Sequence, residues 1–398
     1  MSVAAPTGDK TAGGPPPSSG VLDKERPGFL QFFLEEKVFL GIIASLLIAA
    51  GLIYPYAGIA RWFGFAIAAY SAVGNDSIQT IGTFIASNRD KPWWLLWLFI
   101  GGLFVATVTY SWVTYDGDVS YQRLAAKGFA EAPQSFTYLQ VAAPIFLIIL
   151  TRMRMPVSTT FLLLSCFATE VSGIGSVIKK SLIGYVIAFV LAIVVWMAVS
   201  KVMQRVTSKG KHHSGWRVFQ WITSGALWSV WIMQDAANIA VYLDRSLALM
   251  ELLAFVGVVF IGLGLLFYLG GERIQQVVEE KSDIKDVRSA TVVDLVYAVI
   301  LYVFKIWSNV PMSTTWVFVG LLAGRELAMA FRGTTEEGWR GALKLMTSDL
   351  WRVSLGFLIS LALALAVKAP ARPGGAAIAA IAARIEGTTE AFNCLACH

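Results

Sequence analysis

Four short motifs hold the residues of this chain with the most chemistry to offer. "GNDSIQ" at 74–79 sets Asp76 and Gln79, next to Asn75, on one helix face, and "QDAAN" at 234–238 does the same with Asp235 and Asn238, next to Gln234. "PVSTT" at 156–160 and "PMSTT" at 311–315 each place a proline before three hydroxyls: Ser158, Thr159, Thr160 and Ser313, Thr314, Thr315. All four lie in apolar surroundings. Asp76 is the only charged residue between Arg61 and Arg89, and Asp235 the only one between Arg217 and Asp244. A lone carboxylate inside a membrane costs roughly 3 kcal/mol on insertion scales, so it is expected to face a cavity, hold a cation or carry a proton. Carboxylate and amide oxygens together suit a hard cation, which makes Asp76 and Asp235 candidate Na+ ligands. The plainer alternative is a hydrogen-bonded polar pair joining two helices.

The STT motifs suggest the complementary chemistry. Pro156 and Pro311 suit the first turn of a helix, where a missing N–H costs nothing, and the hydroxyls then fall among the unpaired N–H groups of that turn. Such a terminus offers donors and partial positive charge to an anion. Broken helices aimed at a substrate near the midplane are a recurring device of transporters. The alternative is a proline kink whose freed carbonyls are satisfied by serine and threonine.

These motifs need elements to carry them. The chain has 398 residues, 56% hydrophobic and 15% charged, against about 25% charged in ordinary soluble proteins. It reads as an all-α polytopic membrane protein. Eleven apolar segments stand out, at 38–57, 62–87, 93–115, 137–151, 156–172, 181–203, 217–243, 249–270, 291–308, 310–331 and 351–369. Most have the ~20 residues a crossing helix needs. Those at 137–151, 156–172 and 291–308 are shorter or interrupted.

The net charge of +6 does not indicate nucleic acid, because the basic residues sit in short loops. They cluster at Arg89/Lys91, Arg152/Arg154, Lys201–Arg217 and Arg332–Arg352, which predicts a cytoplasmic N-terminus and a periplasmic C-terminus in a bacterial inner membrane. Residues 1–36 are expected to be a disordered cytoplasmic tail and not a cleaved signal peptide.

The motifs also expose a duplication. Asp76 and Asp235 lie 159 positions apart, and Ser158 and Ser313 lie 155 apart. Two unrelated motifs thus recur in the same order at nearly the same spacing. Residues 62–203 and 217–369 form two five-segment repeats with broken or re-entrant helices, joined by a basic cytoplasmic linker at 204–216. An odd number of crossings per copy makes their topology inverted. Residues 37–57 are an extra N-terminal transmembrane helix.

The order Asn-Asp-x-x-amide followed by Pro-Val-Ser-Thr-Thr, repeated once in inverted sense, resembles the inorganic phosphate transporter (PiT) family, whose halves read approximately G-A-N-D-x-A-N-A and P-V-S-T-T-H. The resemblance implies symport of an oxyanion, phosphate first and sulfate as an alternative, driven by Na+ or H+. It implies that Asn75, Asp76, Gln79, Asp235, Asn238 and the six STT residues line the site. Departures are Gln234 and Gln79 in place of asparagine, and Phe161 and Trp316 in place of histidine.

The final residues Cys394, Cys397 and His398 form a CxxCH, the attachment pattern of haem c. Within an expected periplasmic tail at 370–398, "EGTTEAFNCLACH" at 386–398 resembles only the opening helix of a cytochrome c domain. A covalent haem, a truncated fusion, a metal-binding site and an incidental dithiol all remain open, and with them a second reading of the chain as a membrane-anchored redox protein. Cys166 lies in an apolar helix and reads as a packed core residue. Glu170, Lys305, Arg325 and Glu326 read as interfacial or paired charges. No nucleophile–base pair, phosphate-cradling glycine loop or metal-hydrolase motif appears, so an enzyme is not expected. Partners expected are the oxyanion, Na+ or H+, the bilayer and, as an open alternative, a second copy of the chain.

Overall fold

The computed structural model describes residues 36–153, 155, 157–168, 172–207, 214–269, 287–307, 313–333 and 338–368. Pro156, Pro311, Glu170, Cys394, Cys397, His398 and the tail before residue 36 fall outside them, as does the middle of the basic linker. The described chain is helical, with no β-strand among the described residues. Its elements are α1 (Lys37–Ile53), α2 (Ala57–Thr80), α3 (Gly82–Ser87), α4 (Trp93–Thr114), α5 (Arg123–Ala126) and α6 (Tyr138–Arg152). A π-helical turn, Thr160–Leu164, runs into α7 (Ser165–Phe167), followed by α8 (Ser172–Thr207), α9 (Ser214–Ala240) and α10 (Leu249–Tyr268). α11 (Val287–Ile300) continues as a π-helical stretch, Leu301–Trp307, and α12 (Thr314–Arg332) and α13 (Gly338–Lys368) complete the order.

Six helices among the described residues are long and apolar enough to cross a membrane: Trp93–Thr114, Leu182–Val202, Leu249–Tyr268, Val287–Phe304, Thr314–Arg332 and Gly338–Lys368. On α8, Val186, Val190 and Val194 recur every four residues and are exposed, an apolar stripe suited to lipid. The chain is an all-α, multi-pass membrane protein. Among the described residues, those through Ser45 form one compact unit and those from Leu46 onward a second. In the first, the Ser45 hydroxyl donates to the Gly41 carbonyl at 2.8 Å, which satisfies a polar side chain within an apolar helix.

In the second unit, the segments expected at 137–151 and 156–172 form the two arms of one hairpin. Thr137 and Gln140 make a reciprocal capping box that starts α6. The Gln140 amide then donates to the Cys166 carbonyl at 3.1 Å, so the start of α6 meets the end of α7. α6 has 15 residues, about 22 Å of helix, short of the ~30 Å hydrocarbon thickness. Pro144 within it removes the N–H that would bond the Gln140 carbonyl. The Tyr242 hydroxyl donates to that carbonyl at 2.9 Å. Tyr242→Phe therefore leaves a buried acceptor unmatched, and a loss of about 1–2 kcal/mol is expected as a lower thermal midpoint of the detergent-solubilised protein; an unchanged midpoint would refute the assignment.

Several of the packings between elements recur when residues 62–203 and 217–369 are exchanged. α2 packs on α6 as α9 packs on α11, and α2 on α10 as α9 on α4. The π-helical turn and α7 pack on α13 as α12 packs on α8, while α4 packs on its own counterpart α10. The α8–α12 interface is the tightest. Gly320 and Gly324, four apart, lie against the backbone carbonyls of Tyr185 and Phe189, and a Cβ at either position would collide with those oxygens. Small residues at this spacing let two backbones approach where larger side chains would hold them apart. Arg332 donates to the Met197 carbonyl further along, so the two helices run parallel.

Candidate functional site

α2 and α9 carry the acidic motifs; the two breaks before Thr160 and Thr314 carry the hydroxyls. All four meet in one buried place. The Asn75 amide donates to the Asp76 carboxylate and to the Val157 carbonyl, both at 2.7 Å, and its oxygen accepts from the Val157 N–H at 3.4 Å. One amide thus ties the first acidic helix to the first hairpin break. Across the halves, Asn238 donates to Thr159 and Thr160, each at 3.0 Å, and to Asp235 at 3.0 Å. Thr160 also reaches Asp235 at 3.5 Å and the Asn238 oxygen at 3.2 Å.

The two hydroxyl motifs touch directly. Ser313 donates to Ser158 at 2.9 Å, and Thr315 donates to the Val157 carbonyl at 3.2 Å. Ser313 is the N-cap of α12, with extended backbone, and its carbonyl accepts from Val317 at 3.0 Å. Ser158 accepts from the Phe161 N–H at 3.3 Å. Each break therefore presents its hydroxyls where a helix begins, as a Ser-Thr-Thr run at such a position requires. Thr314 is buried, and its carbonyl accepts from the Tyr297 hydroxyl at 2.9 Å. Asp76, through Asn75 on Val157, and Asp235, through Thr160, lie against the same first break, so the two carboxylates share one neighbourhood.

Asn75, Asp76, Gln79, Asp235, Asn238, Ser158, Thr159, Ser313, Thr314 and Thr315 are all buried, and Thr160 is partly so. Gln79 differs from the rest in that neither its oxygen nor its nitrogen has a hydrogen-bond partner among the described residues. Gln234 binds the Leu301 carbonyl weakly, at 3.5 Å, while its oxygen has none. An unpaired buried amide is costly, and these two lie beside carboxylates, as ligand oxygens and donors would. Phe161 and Trp316, at the positions of the histidines, pack edge-on against Phe357 and Tyr185. There they supply contact in place of polarity.

Sequence reasoning missed further polar groups. Asp294 on α11 is fully enclosed and accepts from Thr83 and Ser224, each at 2.5 Å. It is the only charged residue between Arg288 and Lys305, the same signal that marks Asp76 and Asp235, but the repeat offers Leu139 in its place. Towards the start of α9, Asn88 and Ser87 interlock with Gln220 at 2.7 and 2.6 Å, and Trp221 donates to Asn88. Arg217 closes that end with two bonds to Asp90, at 2.8 and 2.7 Å. Burial would raise the Asp90 carboxyl, but the Arg217 bonds and charge, with Lys91, outweigh it and hold it below its ordinary value.

The other end of α9 is covered by the loop between α4 and α6. Arg245 donates to the carbonyls of Phe129 and Glu131, Trp112 to Leu247 at 2.7 Å, and Arg61 pairs with Asp244. From this loop the guanidinium of Arg123 comes within electrostatic reach of Asp235; burial lowers its basicity and the carboxylate restores part of it.

Chemically, the cluster combines two carboxylates and several amide and hydroxyl oxygens with hydroxyl donors at helix starts. It can accommodate a cation and an anion side by side. No family model matches the chain, and no curated protein matches it. A solved structure described as "The sodium-dependent phosphate transporter" is similar at a TM-score of 0.51 and 17% identity, over 81% of this chain and 99% of that one; the likeness is one of fold.

Proposed function

We propose that the protein is a secondary active symporter of an inorganic oxyanion, phosphate in the first instance, driven by Na+. The observation that carries this reading is the convergence of all four motif copies: Asn238 of the second half on Thr159 and Thr160 of the first, and Ser313 on Ser158. Under this reading Asp76 and Asp235, with the amide and threonine oxygens, ligate the cation. The hydroxyls and N–H groups at the starts of the broken helices hold the anion. Substrate neutralises substrate, so the loaded site moves through the bilayer at a lower electrostatic cost than either ion alone. The fold likeness to a sodium-dependent phosphate transporter supports both the scaffold and the choice of ligands. Residues 62–203 and 217–369 act as inverted halves that exchange roles in alternating access. Treating each break as a re-entrant hairpin removes two crossings per hairpin, so the eleven-segment parity survives. The N-terminus stays cytoplasmic and the C-terminus periplasmic.

A substrate and ion screen in proteoliposomes tests this directly. Labelled phosphate should accumulate against its gradient under an inward Na+ gradient, with sulfate a weaker competitor and a pH gradient alone ineffective. Absence of gradient-driven accumulation of any oxyanion would overturn the proposal.

A further inference from the structure

Arg123 reaches towards Asp235 but is not among the residues assigned above to the cation or the anion, and the chain around it is held in an uncommon conformation. Tyr121 and Gln122 both adopt left-handed backbone, at φ 56° and 58°, a conformation that non-glycine residues rarely take in succession. Asp118 holds it: its carboxylate accepts from the N–H groups of Ser120 at 2.7 Å and Gln122 at 2.6 Å. Ser111 accepts from the Tyr121 N–H at 3.0 Å, and the Tyr121 hydroxyl donates to Thr107 at 2.6 Å. Burial lifts that phenol to about 12, so it remains a donor at any physiological pH. The next residue is Arg123, at the start of α5, and α5 packs on α9. Leu124 anchors the turn in the core.

The result is a guanidinium on a short helix packed against α9, within electrostatic reach of Asp235 near the end of that helix. Its Nε is buried and makes no hydrogen bond, and no hydrogen bond of this side chain is formed among the described residues. Strained backbone that persists only because its surroundings enforce it points to a function, and a half-buried guanidinium whose Nε has no partner attracts an anion. We propose that Arg123 is the anion-recruiting residue of the transport path: it balances Asp235 in the empty site and turns to the entering oxyanion once a cation has taken over that carboxylate. This rests on the transport reading above. It makes binding ordered, cation before anion, and it makes oxyanion capture depend on ionic strength.

The test is phosphate uptake by proteoliposomes containing the full chain, wild type against Arg123→Gln and Arg123→Lys, at low and high concentrations of choline chloride. Arg123→Gln should raise the KM for phosphate about tenfold, with a maximal rate within about twofold of wild type, and should abolish the salt dependence of KM. Arg123→Lys should keep that salt dependence. A glutamine variant with wild-type KM at both salt concentrations, or with a lowered maximal rate at unchanged KM, would overturn the proposal. If the glutamine variant does not fold, a lysine variant whose KM ignores salt overturns it equally. Wild-type protein that accumulates no oxyanion would bring down the transport reading itself, whereas an active wild type with an unaffected glutamine variant sinks the role of Arg123 alone.

Discussion

Asp235→Asn is expected to abolish Na+-driven phosphate uptake, with Asp76→Asn close behind. Asparagine has nearly the volume of aspartate and keeps one oxygen to accept from Asn238, whose bond to Asp235 spans 3.0 Å. The substitution removes charge and little else. A carboxylate and a cation about 4 Å apart at an effective dielectric near 20 attract by about 4 kcal/mol, which is about a thousandfold in cation affinity. Closer ligation would make the loss larger. Phosphate then enters without its companion charge, and the coupled cycle stops. Because Asp235 also receives the Thr160 hydroxyl of the other half at 3.5 Å, part of the damage should appear as a looser contact between the halves. The check is uptake in proteoliposomes alongside size-exclusion profiles showing that both variants remain folded. Full uptake in both would remove the cation role of the carboxylates.

Gly324→Leu should do as much harm by a different route. The position meets the Phe189 carbonyl and the Ala192 methyl so closely that even a Cβ does not fit. Helices α8 and α12 must separate for any side chain, and the Gly320 contact with Tyr185, one turn away, opens with them. Overpacking of a filled interface costs about 1–3 kcal/mol, and here it also shifts α12, whose first turn carries Ser313, Thr314 and Thr315. Loss of yield and a lower thermal midpoint are expected, with uptake lost in any protein that survives. An equally stable Gly324→Leu protein would show that the close approach is not what holds α12 in place. Gly324→Ala should fall between the two.

The acidic and hydroxyl motifs were readable in the sequence because polar groups are expensive inside a membrane and so stand out against an apolar background. Asp76, Asp235 and the two STT runs show this, and their nearly equal offsets of 159 and 155 residues are what suggest a duplication. The same logic applied to Asp294 had an equally clear signal, a lone acid between Arg288 and Lys305, but Leu139 at the matching position gave no second copy to support it. Arg123 left no mark at all. It lies in a loop of ordinary composition, and only the left-handed turn at Tyr121 and Gln122 and the packing of α5 on α9 single it out.

Composition and hydropathy were enough for the all-α membrane class, since it depends on properties that a residue carries with it or shares with neighbours a few positions away. They were not enough to tell a crossing from a hairpin, because hydropathy measures how apolar a segment is and not where the chain turns back. That depended on Gln140 reaching Cys166, 26 residues on. Nor did they show that Ser313 would touch Ser158 across 155 residues, or that Phe161 and Trp316 would pack against neighbouring helices. Contacts of that range exist only once helices have been brought together, and which atoms then meet is decided by how closely residues such as Gly320 and Gly324 allow two backbones to approach.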